Sequence, residues 1–192
     1  MSIEHLIITF SYAGILLLMI ANGITGFPSS QLIYIVSGYF AYKGDISFIL
    51  AIVLGGIGHS IGNIILYEVS RKKGLSYISK FKIFPKKEIK KVNAVMKQKG
   101  LWFLFFGKLI NPVKIIIPIP AGISKLNRAI FSSIVLITSL IWSTIFVSIG
   151  YFFGKTFDFA LYYCIIMIIL SFIIVGIFYK YMNSKEILKL IE

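Results

Sequence analysis

The chain has 192 residues, of which 58% are hydrophobic and only 14% charged, with a mean hydropathy of +0.90. Soluble domains carry about a quarter charged residues, so a water-soluble globule is excluded and a single membrane domain over 1–192 is expected. The net charge of +13 raises nucleic acid as a partner, but the placement of the charge excludes it. The bases Arg71, Lys72, Lys73, Lys80, Lys82, Lys86, Lys87, Lys90, Lys91, Lys97 and Lys99 crowd into 71–99, with Glu88 the one acid among them. Such a block between apolar spans is a cytoplasmic loop by the positive-inside rule and a surface for an anionic leaflet.

A helix needs about 20 apolar residues to cross the hydrocarbon core. In chain order, 3–23 meets this first. It has neither a basic n-region nor a small-residue cleavage site, so it is expected to remain as a span. Residues 27–42 are too short to cross, open with Phe27-Pro28-Ser29-Ser30 and contain Gly38. They are expected to form a re-entrant helical hairpin. The second span is 46–70. The basic loop 71–99 follows, ending in a short helix over 85–99 that lies outside the bilayer along its surface.

Residues 101–123 are apolar but interrupted by Lys108, Asn111, Pro112, Lys114, Pro118, Pro120 and Gly122. Three prolines this close cannot continue one straight helix, because each removes a backbone donor and clashes with the preceding turn. Broken backbone at membrane depth requires protein or a water-filled cavity around it, so this is expected to be a second re-entrant hairpin. Spans at 130–153 and 159–181 and a cytoplasmic tail at 183–192 complete an all-α polytopic protein of about four crossings and two hairpins. Cys164 is the only cysteine, so no disulfide forms within the monomer.

The halves 1–70 and 100–182 share a layout. Pro28 is as far from Gly38 as Pro112 is from Gly122, each glycine follows a small residue (Ser37 or Ala121), and a full span comes next. This points to internal duplication. With 71–99 and both termini cytoplasmic, the hairpins enter from opposite faces, the inverted arrangement of many transporters.

No enzyme constellation, metal site or cofactor motif is visible, and no catalytic residue is assigned. His59, within Gly58-His59-Ser60-Ile61-Gly62-Asn63, reads as a hydrogen-bonded residue at a helix contact, with a proton relay as the alternative. The strongest local signal is Gly107-Lys108-Leu109-Ile110-Asn111-Pro112-Val113-Lys114. A lysine at the bilayer centre costs about 2.5–3.5 kcal/mol on insertion scales, so Lys108 and Lys114 are expected to face a cavity or an anion. The Asn111-Pro112 break between them frees backbone donors that also attract anions. Asn22, Ser29, Ser30 and Gln31 are neutral hydrogen-bonding groups around the first hairpin, although capping of a short helix explains Ser29 and Ser30 equally well.

Four pieces of sequence then resemble the DedA family, bacterial members of the VTT (SNARE-associated) membrane proteins. They are Phe27-Pro28-Ser29-Ser30 with Ser37-Gly38 and Lys43-Gly44; Gly58-x3-Gly62-Asn63-x3-Tyr67-x3-Arg71-x2-Gly74; Phe106-Gly107-Lys108-x5-Lys114-x3-Pro118-x-Pro120-Ala121-Gly122; and Trp142 with Gly150-Tyr151-x2-Gly154. The resemblance implies two re-entrant hairpins in a plasma-membrane helical bundle that moves lipids. Bacterial members return undecaprenyl phosphate to the cytoplasmic leaflet, and eukaryotic relatives resemble phospholipid scramblases. It also implies that Lys108 and Lys114 stand where the family has arginines, and that Asn63 replaces an aspartate. Ala21-Asn22 and Ser30-Gln31 replace further acids. Without those carboxylates, a passive flippase or scramblase for an anionic lipid headgroup is expected rather than a proton-driven antiporter. The alternatives are a small-anion or ion carrier using the same cavity, and a scaffold acting through its basic loop.

Overall fold

The computed structural model describes residues 3–27, 29–78, 86–110 and 113–154, and every described element is helical. They are α1 (Ile3–Thr25), α2 (Ser30–Lys43), α3 (Phe48–Ile78), α4 (Lys86–Lys108), α5 (Val113–Ile116), α6 (Pro118–Ile123) and α7 (Arg128–Gly154). The expected span 159–181, Cys164 and the tail 183–192 lie outside the described residues. Glycines in the left-handed region punctuate the chain where no other residue is comfortable. Gly44 (φ 85°) closes α2, its amide reaching back to the Ala41 carbonyl, in the manner of a C-terminal glycine cap. Gly74 (φ 71°) and Gly100 (φ 58°) bend α3 and α4, so the basic first part of α4 and its apolar second part are separate helices.

Two helices are long and apolar enough to cross a membrane: Phe48–Gly74 with mean hydropathy 2.0, and Arg128–Gly154 with 2.1. Their surfaces are polarised inside out. Ile49, Val53, Ile57, Ile61 and Ile65 form an exposed row at every fourth position of α3, while His59, Ser60, Asn63 and Ser70 of the same helix are buried. On α7, Ile137, Ile141 and Ile145 face outward, and Thr138, Ser139 and Ser143 are buried. An apolar exterior around a polar interior is the arrangement lipid selects, because polar groups in hydrocarbon must find their partners within the protein.

The described helices divide into two compact units. The first takes α1, α2, α3 as far as Asn63, and α7 from Leu136. Its core gathers Ile15, Met19, Tyr34, Ala41, Ile46, Ala51 and Val147. The second takes α3 from Ile64, then α4, α5, α6 and α7 as far as Val135. Tyr67, Val92, Val95, Leu104, Val113, Ile117, Ala121 and Phe131 form its core.

Three expectations change. Residues 27–42 do not form a hairpin of their own. They hold the single 14-residue helix α2, about 21 Å long, and the fold-back is between α1 and α2. Gly38 does not break this helix because its missing side chain admits the backbone of α7. A Cβ there would overlap the Val147 carbonyl oxygen and lie 2.8 Å from the Tyr151 nitrogen. Second, the expected short helix over 85–99 is the first part of α4 and packs its apolar face into the second unit. Ile89, Val92, Val95 and Met96 are buried in the second unit, as is Lys91. Third, Arg71, the first base of the expected cytoplasmic loop, belongs to α3 and is bonded within the second unit. Its guanidinium donates to the Tyr67 hydroxyl at 2.6 Å and to the Leu126 carbonyl at 2.8 Å.

The duplicated spacing has a structural counterpart. Gly122 of α6 meets α3 as Gly38 of α2 meets α7. A Cβ on Gly122 would overlap the Tyr67 carbonyl and lie 2.9 Å from the Arg71 nitrogen. In each unit the glycine therefore sits over one i to i+4 backbone link of a long helix, and no larger residue fits there.

Candidate functional site

The second unit brings Lys108 and Lys114 together. Lys108 ends α4 and is 1% exposed; Lys114 lies in α5 and is 4% exposed. The Lys108 ammonium donates to the Lys114 carbonyl at 3.0 Å, across the break between the helices. An ammonium has three protons, and this bond uses one. Asn111 and Pro112 lie outside the described residues. On either side of them the backbone closes on itself: Leu109 donates to Phe106, Ile110 to Gly107 and Lys114 to Ile110, at 3.0, 3.3 and 3.0 Å. The amides of Leu109, Ile110 and Lys114 are thus bonded within the turn. Beyond it, Ile117 donates to Val113 and Ala121 to Ile117, so α5 and α6 continue one another despite Pro118 and Pro120.

In the first unit, Asn22 (4% exposed) and Asn63 (1% exposed) are buried. Their neighbourhood is fixed by a tight crossing of α1 and α3, in which a Cβ on Gly23 would lie 2.5 Å from the His59 carbonyl oxygen and 2.9 Å from the Asn63 nitrogen. Asn63 donates its side-chain amide to the His59 carbonyl at 2.7 Å, and His59 Nδ1 pairs with the Ser139 hydroxyl at 2.8 Å. His59 is therefore the hydrogen-bonded residue at a helix contact. Ser139 was not singled out from the sequence. Its one sequence cue is the run Thr138-Ser139 with Ser143 a turn later, inside an apolar span.

Ser29, Ser30 and Gln31 start α2 and form a group of their own. Both hydroxyls donate to Gln31 Oε1, at 3.0 Å from Ser29 and 3.3 Å from Ser30. Ser29 occupies the cap position without making a side-chain cap bond, so capping does not account for it. Ser30 is buried and Ser29 exposed.

Two further contacts frame the second unit. Tyr67 stacks on Phe131 with centroids 4.4 Å apart, and its hydroxyl bonds the Leu126 carbonyl alongside Arg71. Glu68 forms a two-pronged ion pair with Arg128, Nε to Oε1 at 2.6 Å and Nη2 to Oε2 at 3.1 Å. Among the described residues, no group of three His, Cys, Asp or Glu converges to hold a metal.

The VTT domain profile matches residues 8–152. Undecaprenyl phosphate transporter A of Staphylococcus aureus (strain NCTC 8325 / PS 47) is 27% identical over 148 residues, 73% of each chain. Undecaprenyl phosphate transporter A of Bacillus subtilis (strain 168) is 29% identical over 132 residues, 67% of each chain. A protein named alkaline phosphatase-like in Lactococcus lactis subsp. cremoris (strain MG1363) is 27% identical over 158 residues, 78% of this chain and 73% of its own. No solved structure matches the chain.

Proposed function

The chain belongs to the VTT domain family, and on that premise we propose that it moves an anionic lipid headgroup between the leaflets of the plasma (inner) membrane. The headgroup is that of a polyprenyl phosphate such as undecaprenyl phosphate, or of a phospholipid. The observation that carries this reading is the burial of Lys108 and Lys114 side by side at a helix break. Burying two cations is strongly unfavourable unless charge and hydrogen bonds compensate them, and a phosphate accepts charge-assisted bonds from both. The names of the Staphylococcus and Bacillus relatives favour a polyprenyl phosphate.

In this mechanism Lys114 holds the phosphate. Lys108 closes the turn through the Lys114 carbonyl and contributes its charge, and Asn111 and Pro112 shape the break. Asn22, Ser29, Ser30, Gln31 and Asn63 are the neutral groups a headgroup meets in the first unit. The segments α1, α3, α7 and 159–181 cross the bilayer, α2 and the return through α5 and α6 are re-entrant, and both termini are cytoplasmic. The basic stretch 71–99 rests against the anionic leaflet. Movement is passive.

The test uses purified protein in vesicles with a fluorescent polyprenyl phosphate or phospholipid and an outer-leaflet quencher. Quenching beyond the outer half of the label, lost in Lys114→Ala with insertion intact, is the expected result. Unchanged quenching in that variant removes the assignment. Suppression by a water-soluble phosphate lacking a tail would move the reading to a small-anion carrier. The Lactococcus relative's name favours one rival, hydrolysis of a phosphate ester. Release of inorganic phosphate by the same vesicles would establish that rival.

A further inference from the structure

One face of α3 in the second unit forms a groove of about 350 Å³, lined by Ile64, Ile65, Glu68, Val69, Lys72 and Lys73. That volume falls within the range of roughly 300–1,000 Å³ typical of ligand sites. The lining residues recur as neighbouring pairs every fourth position, so the groove runs along the helix axis. At 1.5 Å per residue, Ile64 to Lys73 spans about 14 Å, close to half of the roughly 30 Å hydrocarbon core. The groove thus matches the depth of one leaflet. Its apolar end lies toward the middle of the helix. Its lysine end lies where α3 bends, Lys73 immediately preceding Gly74 with its φ of 71°. Glu68 is held by Arg128 in a two-pronged ion pair, and with two lysines to one carboxylate the lining of the groove carries net positive charge. Lys72 and Lys73 are exposed, and Ile65 is 40% exposed.

We propose that this groove binds an anionic phospholipid of one leaflet, its chain laid along Ile64, Ile65 and Val69 and its phosphate held by Lys72 and Lys73. A zwitterionic lipid brings its own cation to the two lysines and is disfavoured. The exposed lysines separate this site from the buried pair at the helix break, and the lipid bound here is retained rather than moved.

The full chain is reconstituted in phosphatidylcholine vesicles containing a minor share of phosphatidylglycerol and extracted in polymer-bounded discs, and the co-purified lipids are quantified by mass spectrometry. Phosphatidylglycerol is expected to be enriched over the bulk membrane. Lys72→Gln with Lys73→Gln is expected to lower the enrichment, by about fivefold for each charge removed. Ile65→Trp fills the groove with both lysines in place and lowers it as well, so the proposal does not depend on one variant folding. Lys86→Gln with Lys87→Gln removes equal charge from the same basic segment outside the groove and is expected to lower the enrichment less. Equal loss in that control, or no loss in Ile65→Trp, would overturn the site in favour of general attraction to the basic segment. An oxidative cross-link between Ile65→Cys and Cys164 would also overturn it, by showing the groove filled by the chain itself.

Discussion

The ammonium of Lys108 bonds the carbonyl of Lys114 at 3.0 Å, so the two buried cations of the second unit are tied through the main chain of the helix break. In the proposed mechanism the two then differ: the Lys108 side chain bridges the break, and Lys114 takes part in that bridge through its backbone carbonyl. Lys108→Ala leaves a buried carbonyl without this donor, an effect of about 1–3 kcal/mol. Lys114→Ala keeps that carbonyl, since it belongs to the backbone. Thermal unfolding in detergent is therefore expected to show a lower Tm for Lys108→Ala than for Lys114→Ala, while both lose lipid movement in vesicles. Equal Tm values would show that the turn stands without Lys108.

The glycines of α2 and α6 yield a paired prediction. Gly38 and Gly122 each lie on the backbone of a long helix, over Val147 and Tyr151 in one case and Tyr67 and Arg71 in the other. Backbone atoms cannot give way as a flexible side chain can, so Gly38→Ala and Gly122→Ala are each expected to destabilise by about 1–3 kcal/mol. A Cβ on Gly14 would meet nothing within 4 Å, and Gly14→Ala is expected to be neutral or stabilising by up to about 1 kcal/mol from helix propensity. Thermal melts of the three variants check this. A tolerated Gly122→Ala beside a damaging Gly38→Ala would break the equivalence of the two units.

Tyr67 joins two effects that a conservative substitution separates. Its ring stacks on Phe131, and its hydroxyl meets Arg71 and the Leu126 carbonyl. Tyr67→Phe keeps the stack and is expected to lose about 1 kcal/mol. Tyr67→Ala opens the core and is expected to lose about 3–5 kcal/mol. Hydrogen exchange near Leu126 and Asn127 should rise in both, because both lose the hydroxyl that helps hold that carbonyl.

What was legible in the sequence, and what was not, follows the range of the interactions involved. The crossings at α3 and α7 and the break around Asn111 and Pro112 are properties of short windows, and α3 and α7 are found where apolar length placed them. The equal spacing of Pro28 to Gly38 and Pro112 to Gly122 is legible in the sequence, and the structure adds that each glycine meets the backbone of a long helix. Gly38 misled as a helix breaker because the α7 backbone that occupies its missing side chain is more than a hundred residues away in sequence. In the basic stretch, Ile89, Val92, Val95 and Met96 show a helical apolar face, but sequence cannot say whether such a face meets lipid or protein. Ser139 was missed for the same reason: its partner His59 lies on another helix, and the run of Thr138, Ser139 and Ser143 in an apolar span does not say which partner each hydroxyl meets.

Lipid movement by this chain is expected to ignore a proton gradient and to follow the membrane potential. The positions where the family resemblance calls for acids hold Asn22, Ser30, Gln31 and Asn63. These groups serve in the fold as neutral hydrogen-bonding partners, with Asn63 donating to the His59 carbonyl at 2.7 Å and Ser30 to Gln31 at 3.3 Å. None of them exchanges a proton near neutral pH. A phosphodiester headgroup carried as an anion moves one net charge, whereas a polyprenyl phosphate monoester carries about −1.5 to −2 near pH 7, and each elementary charge crossing 100 mV is worth about 2.3 kcal/mol. That corresponds to a leaflet ratio of roughly fiftyfold toward the positive side. Vesicles poised with a potassium diffusion potential and an outer-leaflet quencher measure that ratio, and the same vesicles with a pH step and no potential measure proton coupling. A ratio that tracks potential and is indifferent to pH is the expected result. With a phosphodiester lipid, whose headgroup does not titrate near neutral pH, dependence on the pH step would require a titrating group in the path, and His59, buried against Ser139 and Asn63, is the first to test, by His59→Gln.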